Sequence, residues 1–345
     1  MKMAEIKLIE EYIKERGLEK IIEENKLNVK IYHDQNIIMI NHKRYKTKQN
    51  EITIQCRGVI LHKKNEDYEV ICRPFDKFYN VYEKASQFFD YTQGVDVYEK
   101  ADGSFIKIYY HDNAFNIATN RTAFAEGPCN NSHTQFRSYN EFVLSTFGCE
   151  NMAEFQIFMK NQDKNLTYMF ELISPNNKII TQYEKSELIF LAARNTKTGV
   201  YVNINAFPNT RKPMKYNKNG KLFTQDDCKK LFCNLRNDEE GFVLINKSGL
   251  RQKLKNPLYL EKIRQNKKVL KKPHKIKSDS NIELVTAVVQ GREADFDCDI
   301  STTAKVLSNS VIDYAEKIDV DFFDLNDEEK TVIVWGVLIK LWYSD

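Results

Sequence analysis

Short runs of alternating apolar and polar residues crowd the first three quarters of this chain and stop after Pro257. Strand-length segments occur at Val29 to Tyr32, Ile37 to Ile40, Ile52 to Cys56, Gly58 to His62 and Tyr68 to Cys72. They continue at Val95 to Tyr98, Phe105 to Tyr110, Thr167 to Leu172, Leu188 to Ala192, Tyr201 to Ile204, Gly241 to Asn246 and Leu250 to Leu254. Period-2 patterning buries one face of each segment, and helical patterns between them are few. Two helices flanking Gly17 and a helical stretch from Ser138 to Lys160 complete an α+β pattern with largely antiparallel sheets. Beyond Pro257 the texture turns helical, at Ile282 to Gln290, Thr302 to Lys317 and Glu328 to Tyr343, with Asn326 and Glu329 spaced as a capping box. The expected organisation is one domain over residues 1–256 and a small all-helical domain over 257–345.

With 12 glycines and 7 prolines in 345 residues, collagen-like and disordered classes are excluded. The first residues mix charge with Ile6, Ile9 and Ile13, the pattern of an amphipathic helix and not of an export signal. The longest apolar stretch, Thr331 to Tyr343, contains Lys340 and is shorter than the roughly 18 to 20 residues a membrane span needs. No membrane association is expected, and the location is cytoplasmic, in a host cell if the chain is viral. Seven scattered cysteines without zinc-like spacing are expected as reduced thiols. The basic run from Lys262 to Lys277 fits a phosphate backbone, and equally a solvated helix face and linker.

The chemistry concentrates at Lys100, in Tyr98-Glu99-Lys100-Ala101-Asp102-Gly103-Ser104. A lysine amine held in line can attack the α-phosphate of a nucleotide. The same residues also fit a type I′ hairpin turn at Asp102-Gly103 with Lys100 in solvent. Lys253 and Lys255 alternate on one strand face, where two ammonium groups can grip a phosphate and lower the pKa of Lys100; an exposed polar face is the plainer alternative. Glu240, before Gly241-Phe242-Val243, offers a carboxylate for a divalent metal or simply belongs to an acidic turn with Asp238 and Glu239. Phe170 offers an aromatic face for a purine and Glu171 a carboxylate for ribose hydroxyls, although a strand phenylalanine also suits a core. Arg57, Arg73 and Lys77 stand at strand ends where cations can meet phosphates. Gly103 admits a close backbone approach to the nucleotide.

Taken in order, Arg57, Lys77, Lys100, Arg121, Glu171, Glu240, Lys253 and Lys255 resemble the covalent nucleotidyltransferase superfamily, and within it the RNA ligase 1 family of bacteriophages. Lys100, Asp102, Gly103 and Ser104 match the family's lysine-x-aspartate-glycine-serine motif. Cys56-Arg57-Gly58 and Arg73 to Asn80 are similar to its upstream signature, and Phe170 to Ile180 to its adenosine-binding motif. Glu240 to Val243 and Lys253 to Lys255, with Tyr259 four residues on, match its last two motifs. The resemblance spans roughly residues 50 to 260. It implies an antiparallel-sheet nucleotidyltransferase domain of the ATP-grasp-like ligase type. No motif aligns before residue 50, and helices stand where a DNA ligase or capping enzyme carries an OB-fold.

The resemblance further implies ATP and Mg²⁺, with Mn²⁺ as the alternative metal. Its substrate is RNA with 5′-phosphate and 3′-hydroxyl ends, such as a cleaved tRNA, joined through lysyl-AMP and RNA-adenylate. It assigns Lys100, Lys253, Lys255 and Glu240 to catalysis, with Glu240 also the metal ligand. Arg57, Lys77, Gly103, Arg121, Phe170, Glu171, Val243 and Tyr259 go to nucleotide binding, Phe170 and Val243 covering the two adenine faces. An end-healing kinase or phosphatase acting in trans and a monomeric state complete the expectation. A ligase of DNA or nicked duplexes, and a non-catalytic RNA-binding protein that keeps a nucleotide pocket, are the competing readings.

Overall fold

The computed structural model describes residues 7–43, 46–81, 89–129, 135–236, 238–256, 258–260 and 262–263. The three helices expected after residue 282, their capping box and most of the basic run lie outside these. The sheet-rich part forms two units, each discontinuous in sequence: Met1–Phe78 with Ala101–Lys215, and Tyr79–Lys100 with Tyr216–Asp345. The single domain expected over 1–256 is therefore divided, because the chain passes between the units at residues 78, 100 and 215.

The first unit begins with helices α1 (Ile9–Arg16) and α2 (Leu18–Asn25), broken at Gly17, whose φ of 78° suits glycine. Strands β1 (Leu27–Tyr32), β2 (Ile37–His42), β3 (Val59–Lys64) and β4 (Asp67–Cys72) follow as an antiparallel meander. One face of the meander buries Ile38, Ile40, Val59, Leu61 and Val70 with Ile9, Ile13 and Ile21 of the helices. Its other face, with Ile37, Met39, Ile60 and Cys72, packs on Tyr109 and Ala118 of a second sheet.

That sheet runs β10-β9-β8-β6-β7, built from β6 (Ser104–His111), β7 (Ala114–Thr119), β8 (Leu166–Ile173), β9 (Glu187–Asn195) and β10 (Tyr201–Val202). Its far face carries Ile106, Ile108, Tyr168, Phe170 and Leu172 against α3 (Tyr139–Phe147) and α4 (Met152–Met159). Alternation along β6 and β8 thus decides which residues enter this helix-covered core and which face the meander side.

Three expectations change. The helical stretch Ser138 to Lys160 is two helices, because Gly148 adopts φ 80° and Asn151 caps the second by accepting from the Glu154 amide. Ile52 to Cys56 is a 3-10 turn over Thr53–Gln55: the Asn50 side chain accepts from the amides of Ile52 and Thr53 at 3.1 and 2.9 Å, closing a local turn in place of a ladder. Asp102-Gly103 is not a hairpin, since the strands on either side lie in different sheets. The two-residue hairpin with both central residues at positive φ is Asp112-Asn113, which joins β6 to the unforeseen β7.

In the second unit β5 (Val95–Glu99), β11 (Gly241–Asn246) and β12 (Arg251–Lys255) form an antiparallel sheet in the order β12-β11-β5. Its buried face, with Val95, Val97, Phe242, Leu244 and Leu254, packs on Cys228 and Phe232 of α5 (Gln225–Cys233). This helix was missed, although Thr224 and Asp227 carry a capping box at the required spacing.

A β-carbon at residue 103 would lie 2.3 Å from the Leu172 carbonyl oxygen, so β6 and β8 approach as closely as they do only because Gly103 has none. Gly103→Ala is expected to lower unfolding stability by about 2 to 4 kcal/mol, because backbone and not a flexible side chain must yield. Urea unfolding checks this; an unchanged midpoint would refute it.

Candidate active site

The open face of the three-stranded sheet is set by register. Val243 on β11 stands opposite Tyr98 on β5 and Lys253 on β12, and Gly241 stands opposite Lys255. On β12 the partly exposed residues are Arg251, Lys253 and Lys255, while Gln252 and Leu254 are buried, so the two lysines do share one face. Lys100 continues the line of β5, its amide donating to the Gly241 carbonyl at 2.9 Å. The Asn256 amide donates to the Glu240 carbonyl at 2.9 Å from the opposite side. Glu240 and Gly241 are thereby held between the ends of both neighbouring strands. Gly241 has φ 133°, and a β-carbon there would lie 2.1 Å from the Leu254 carbonyl, a position open only to glycine.

This pairing assembles a charged triplet. Lys100 Nζ lies 2.5 Å from Glu240 Oε2, and Lys255 Nζ lies 2.7 Å from Glu240 Oε1. The glutamate side chain is 7% exposed and the lysines 20% and 22%. Burial by itself would raise the Glu240 carboxyl, but the charges and hydrogen bonds of Lys100 and Lys255 outweigh it and hold the group below the usual carboxylate range. Both carboxylate oxygens are therefore engaged by ammonium groups, an arrangement that the acidic-turn alternative did not foresee. Lys253 and Val243 flank the triplet on the same sheet face, and Tyr259 is 1% exposed within this unit.

The remaining predicted residues belong to the first unit. Gly103 Cα and the Glu171 side chain adjoin, since a β-carbon at 103 would lie 3.1 Å from Glu171 Cγ, and Glu171 pairs in register with Phe105. Glu171 is partly exposed, whereas Phe170 beside it is 0% exposed among Phe147, Phe190 and Phe207. The adenine-stacking role expected of Phe170 is corrected to a core role: adjacent strand residues face opposite sides, and this one points into the helix-covered core.

Arg57 and Lys77 both act on His42. Burial lowers the imidazole pKa, opposed by the hydrogen bond to the Thr53 carbonyl, and the Lys77 and Arg57 charges push it further down. Arg121 is exposed, with its amide bonded to Thr119 Oγ1 at 3.0 Å.

Arg73 is also corrected. At 2% exposed it pairs with Glu10 and donates through Nε to the Thr196 carbonyl at 2.7 Å, so it braces the fold instead of meeting solvent. Asp76 in the same stretch receives both Arg194 terminal nitrogens, at 2.9 and 2.8 Å. Asp102 is 2% exposed and accepts the Ile180 and Thr181 amides on one oxygen at 2.9 Å each. Ser104, Asn177 and Tyr139 are linked by hydrogen bonds. The aspartate and serine of the lysine motif thus fasten β6 to the segment after β8.

One polar residue escaped the sequence reading. Lys107, inside the run Phe105-Ile106-Lys107-Ile108-Tyr109, is 0% exposed between the two sheets and donates to the Gly58 carbonyl at 2.6 Å. A lysine flanked by apolar residues on both sides of a buried strand was the available signal. Burial pushes its ammonium pKa down to about 8. In the unfolded chain the group holds its proton to about 10.5, so between pH 8 and 10.5 the unfolded state binds more protons and the native state gains stability as pH rises. Across that interval the gain is roughly 3 kcal/mol. Buried Cys56 and Cys72, with thiol pKa values raised to about 12 and about 11, act oppositely. The gain is therefore expected in the difference between the native chain and Lys107→Met, followed by urea unfolding at pH 7.5 and 9.5; parallel curves would contradict it.

Among the described residues no cluster of three or more histidine, cysteine, aspartate or glutamate side chains is placed to hold a metal. Within them no helix is long and apolar enough to cross a membrane.

A family model described as RNA ligase matches residues 55–259. A protein described as a bifunctional polynucleotide kinase/RNA ligase, from Autographa californica nuclear polyhedrosis virus, is 29% identical over 294 residues, covering 81% of this chain and 40% of that protein. An RNA ligase of Rhodothermus phage RM378 is 24% identical over 266 residues, covering 60% of this chain and 59% of its own. The chain thus spans 40% and 59% of the lengths of these two relatives. Among solved structures, an archaeal ATP-dependent RNA ligase aligns with a TM-score of 0.50 at 13% identity, covering 96% of this chain and 79% of that one, a likeness of fold. The matched stretch runs from the turn before Arg57, through Lys100, to the helix after Lys255, and on that match this chain belongs to the phage-type RNA ligase family.

Proposed function

We propose that the chain is an ATP-dependent RNA ligase that joins 5′-phosphate and 3′-hydroxyl RNA ends. The observation that carries this reading is the triplet in which Glu240 receives the Lys100 and Lys255 ammonium groups on its two oxygens. The amine proposed as nucleophile is there held in place by a buried carboxylate, with a second ammonium group beside it on the same carboxylate.

In the first step the Lys100 ammonium gives its proton to solvent, the like charges of Lys253 and Lys255 favouring the neutral amine. The free amine attacks the α-phosphorus of ATP, forming a P–N bond as the bond to pyrophosphate breaks. Lys253 and Lys255 stabilise the charge on the α-phosphate, and Arg57, Lys77 and Arg121 serve the phosphates by family analogy. Glu171 takes the ribose hydroxyls, Val243 covers one adenine face and Tyr259 supports the nucleotide site. In the second step a 5′-phosphate oxygen of RNA displaces Lys100 from the adenylate, leaving a 5′-5′ anhydride. In the third the 3′-hydroxyl of the other strand displaces AMP and seals a phosphodiester.

The donor set suits a hard cation held by one carboxylate together with substrate phosphates, Mg²⁺ or Mn²⁺, with Glu240 as the protein ligand once Lys100 has left it. Bound there, the cation would neutralise phosphate charge. The Lys262 to Lys277 run and the chain beyond it are the candidates for engaging the RNA, a cleaved tRNA being the substrate we favour. The polynucleotide kinase named in the baculovirus relative supports an end-healing partner. We take the protein as a monomer of the host cytoplasm.

Incubation with α-labelled ATP and Mg²⁺ followed by a denaturing gel tests the first step. A band that acid removes and pyrophosphate discharges is the expected result; no band under varied metal and pH would end the enzyme reading and favour a non-catalytic nucleotide-binding protein. Sealing of single-stranded RNA against nicked DNA separates RNA ligase from DNA ligase.

A further inference from the structure

Lys107 lies between the two sheets of the first unit, paired in register with Ala118 on β7 and Met169 on β8. Among the described residues no carboxylate stands in ion-pair range of it, and its one hydrogen bond goes to the Gly58 carbonyl. Burying an amine in such a layer is costly, and a methionine would occupy the same space without that cost. Stability is therefore a poor account of this side chain.

Its acceptor is more telling. Gly58 sits at φ 83°, and a β-carbon on it would lie 3.0 Å from Lys107 Nζ and 3.0 Å from Asn120 Oδ1. A side chain at this position would be strained at that φ and would crowd the amine on its carbonyl. The Gly58 amide donates to the Ile40 carbonyl at 2.9 Å, so both polar groups of this residue are held, one from β2 and one from β6. On the other side of Arg57, Cys56 is 0% exposed with its amide bonded to the Thr53 carbonyl at 2.9 Å. Arg57 is thus a partly exposed cation flanked by two immobilised residues. The Asn120 Oδ1 atom, beside the same glycine, is buried and has no hydrogen-bond partner among the described residues.

We propose that Lys107 is a positioning residue that acts through Arg57: by holding the Gly58 carbonyl from beneath the sheet, it fixes the direction in which the Arg57 guanidinium is presented to a nucleotide's phosphates. The proposal rests on the ligase reading for the ligand, and on the geometry of this unit alone for the holding of the turn. It makes Cys56-Arg57-Gly58 one mechanical element: a buried anchor, a cation, and a glycine that admits the lysine.

The test combines Lys107→Met, Arg57→Ala and the double variant, with Lys100 labelling followed against ATP concentration and amide exchange followed in the peptide containing Gly58. Lys107→Met is expected to raise half-saturating ATP about tenfold while changing the maximal labelling rate less than about threefold, and to speed exchange at Gly58. The double variant is expected to be no worse than Arg57→Ala, since the lysine has nothing left to position. Unchanged half-saturation in Lys107→Met, or full additivity in the double variant, overturns the proposal. Should Lys107→Met not fold, Gly58→Ala, which crowds the amine at the carbonyl with Lys107 retained, is expected to give a rise in the same direction, and its absence overturns the proposal. If the native chain does not label at all, the ligase reading fails, and the Gly58 exchange rate decides separately: native-like exchange in Lys107→Met refutes the holding of the turn.

Discussion

Lys100→Ala is expected to abolish covalent labelling by α-labelled ATP, because Lys100 is the amine proposed to attack the α-phosphorus, while Lys255 holds the second Glu240 oxygen from the neighbouring strand. Lys100→Arg sharpens the result. A guanidinium keeps the charge beside Glu240 but does not shed its proton near neutral pH, so labelling is expected to vanish while thermal stability stays near that of the native chain. Labelling that survives in either variant would show that the adenylate is carried elsewhere, and the assignment of Lys100 would fall. A circular-dichroism melt run alongside separates loss of chemistry from loss of fold.

Glu240→Ala carries the second large effect, and it differs in kind. Removing the carboxylate takes the shared Glu240 charge away from two lysines, each only about one-fifth exposed. Breaking a buried ion pair from one side typically costs about 3 to 5 kcal/mol, and part of that is expected here because the lysines retain some solvent. Labelling is expected to fall by at least about a hundredfold, the alignment of Lys100 being lost. Glu240→Ala combined with Lys255→Met should recover much of the stability, since one of the two cations that shared Glu240 is gone, and none of the labelling. Recovery of both would make Glu240 a structural residue only.

The acid limb follows with a defined sign. The native Glu240 carboxyl titrates below its unfolded value of 4.5, so its contribution is complete above that value and is lost as pH falls through the lower native one. Urea unfolding between pH 6 and pH 3 should show this loss in the native chain and a shallower one in Glu240→Ala; equal slopes would contradict it.

Much of the architecture could be read from one-dimensional patterning where the local period and the tertiary environment agree. Strands β4, β5, β6, β8, β11 and β12 fall within two residues of their expected ends, because alternation and β-branched content specify a half-buried extended chain. Ile52 to Cys56 had the composition of a strand, yet the Asn50 side chain and the Thr53 hydroxyl offered hydrogen bonds that a sheet edge did not. Asp102-Gly103 had hairpin residues, yet the strands around it answer to different sheets, and the hairpin sits at Asp112-Asn113. Local chemistry permitted a turn at both places. Long-range pairing chose between them.

The candidate site divides along the same line. The kinds of residue it uses, their chain order and the shared face of Lys253 and Lys255 were present in the amino-acid sequence, since strand alternation is a local property. That Glu240 would accept from Lys100 and Lys255 at once depends on the β12-β11-β5 order, which brings residues 140 and 15 positions away onto one carboxylate. Phe170 and Glu171 are neighbours in the chain, and only the placement of α3 and α4 against one face of the five-stranded sheet sent the ring into the core and left the carboxylate partly exposed. Lys107 was one more charged letter in an apolar run until the meander covered that face of β6. A chain specifies its own periodicities through neighbour sterics and burial, whereas which distant groups share a carboxylate or a carbonyl is settled by strand order and layer packing, and these are properties of the folded whole.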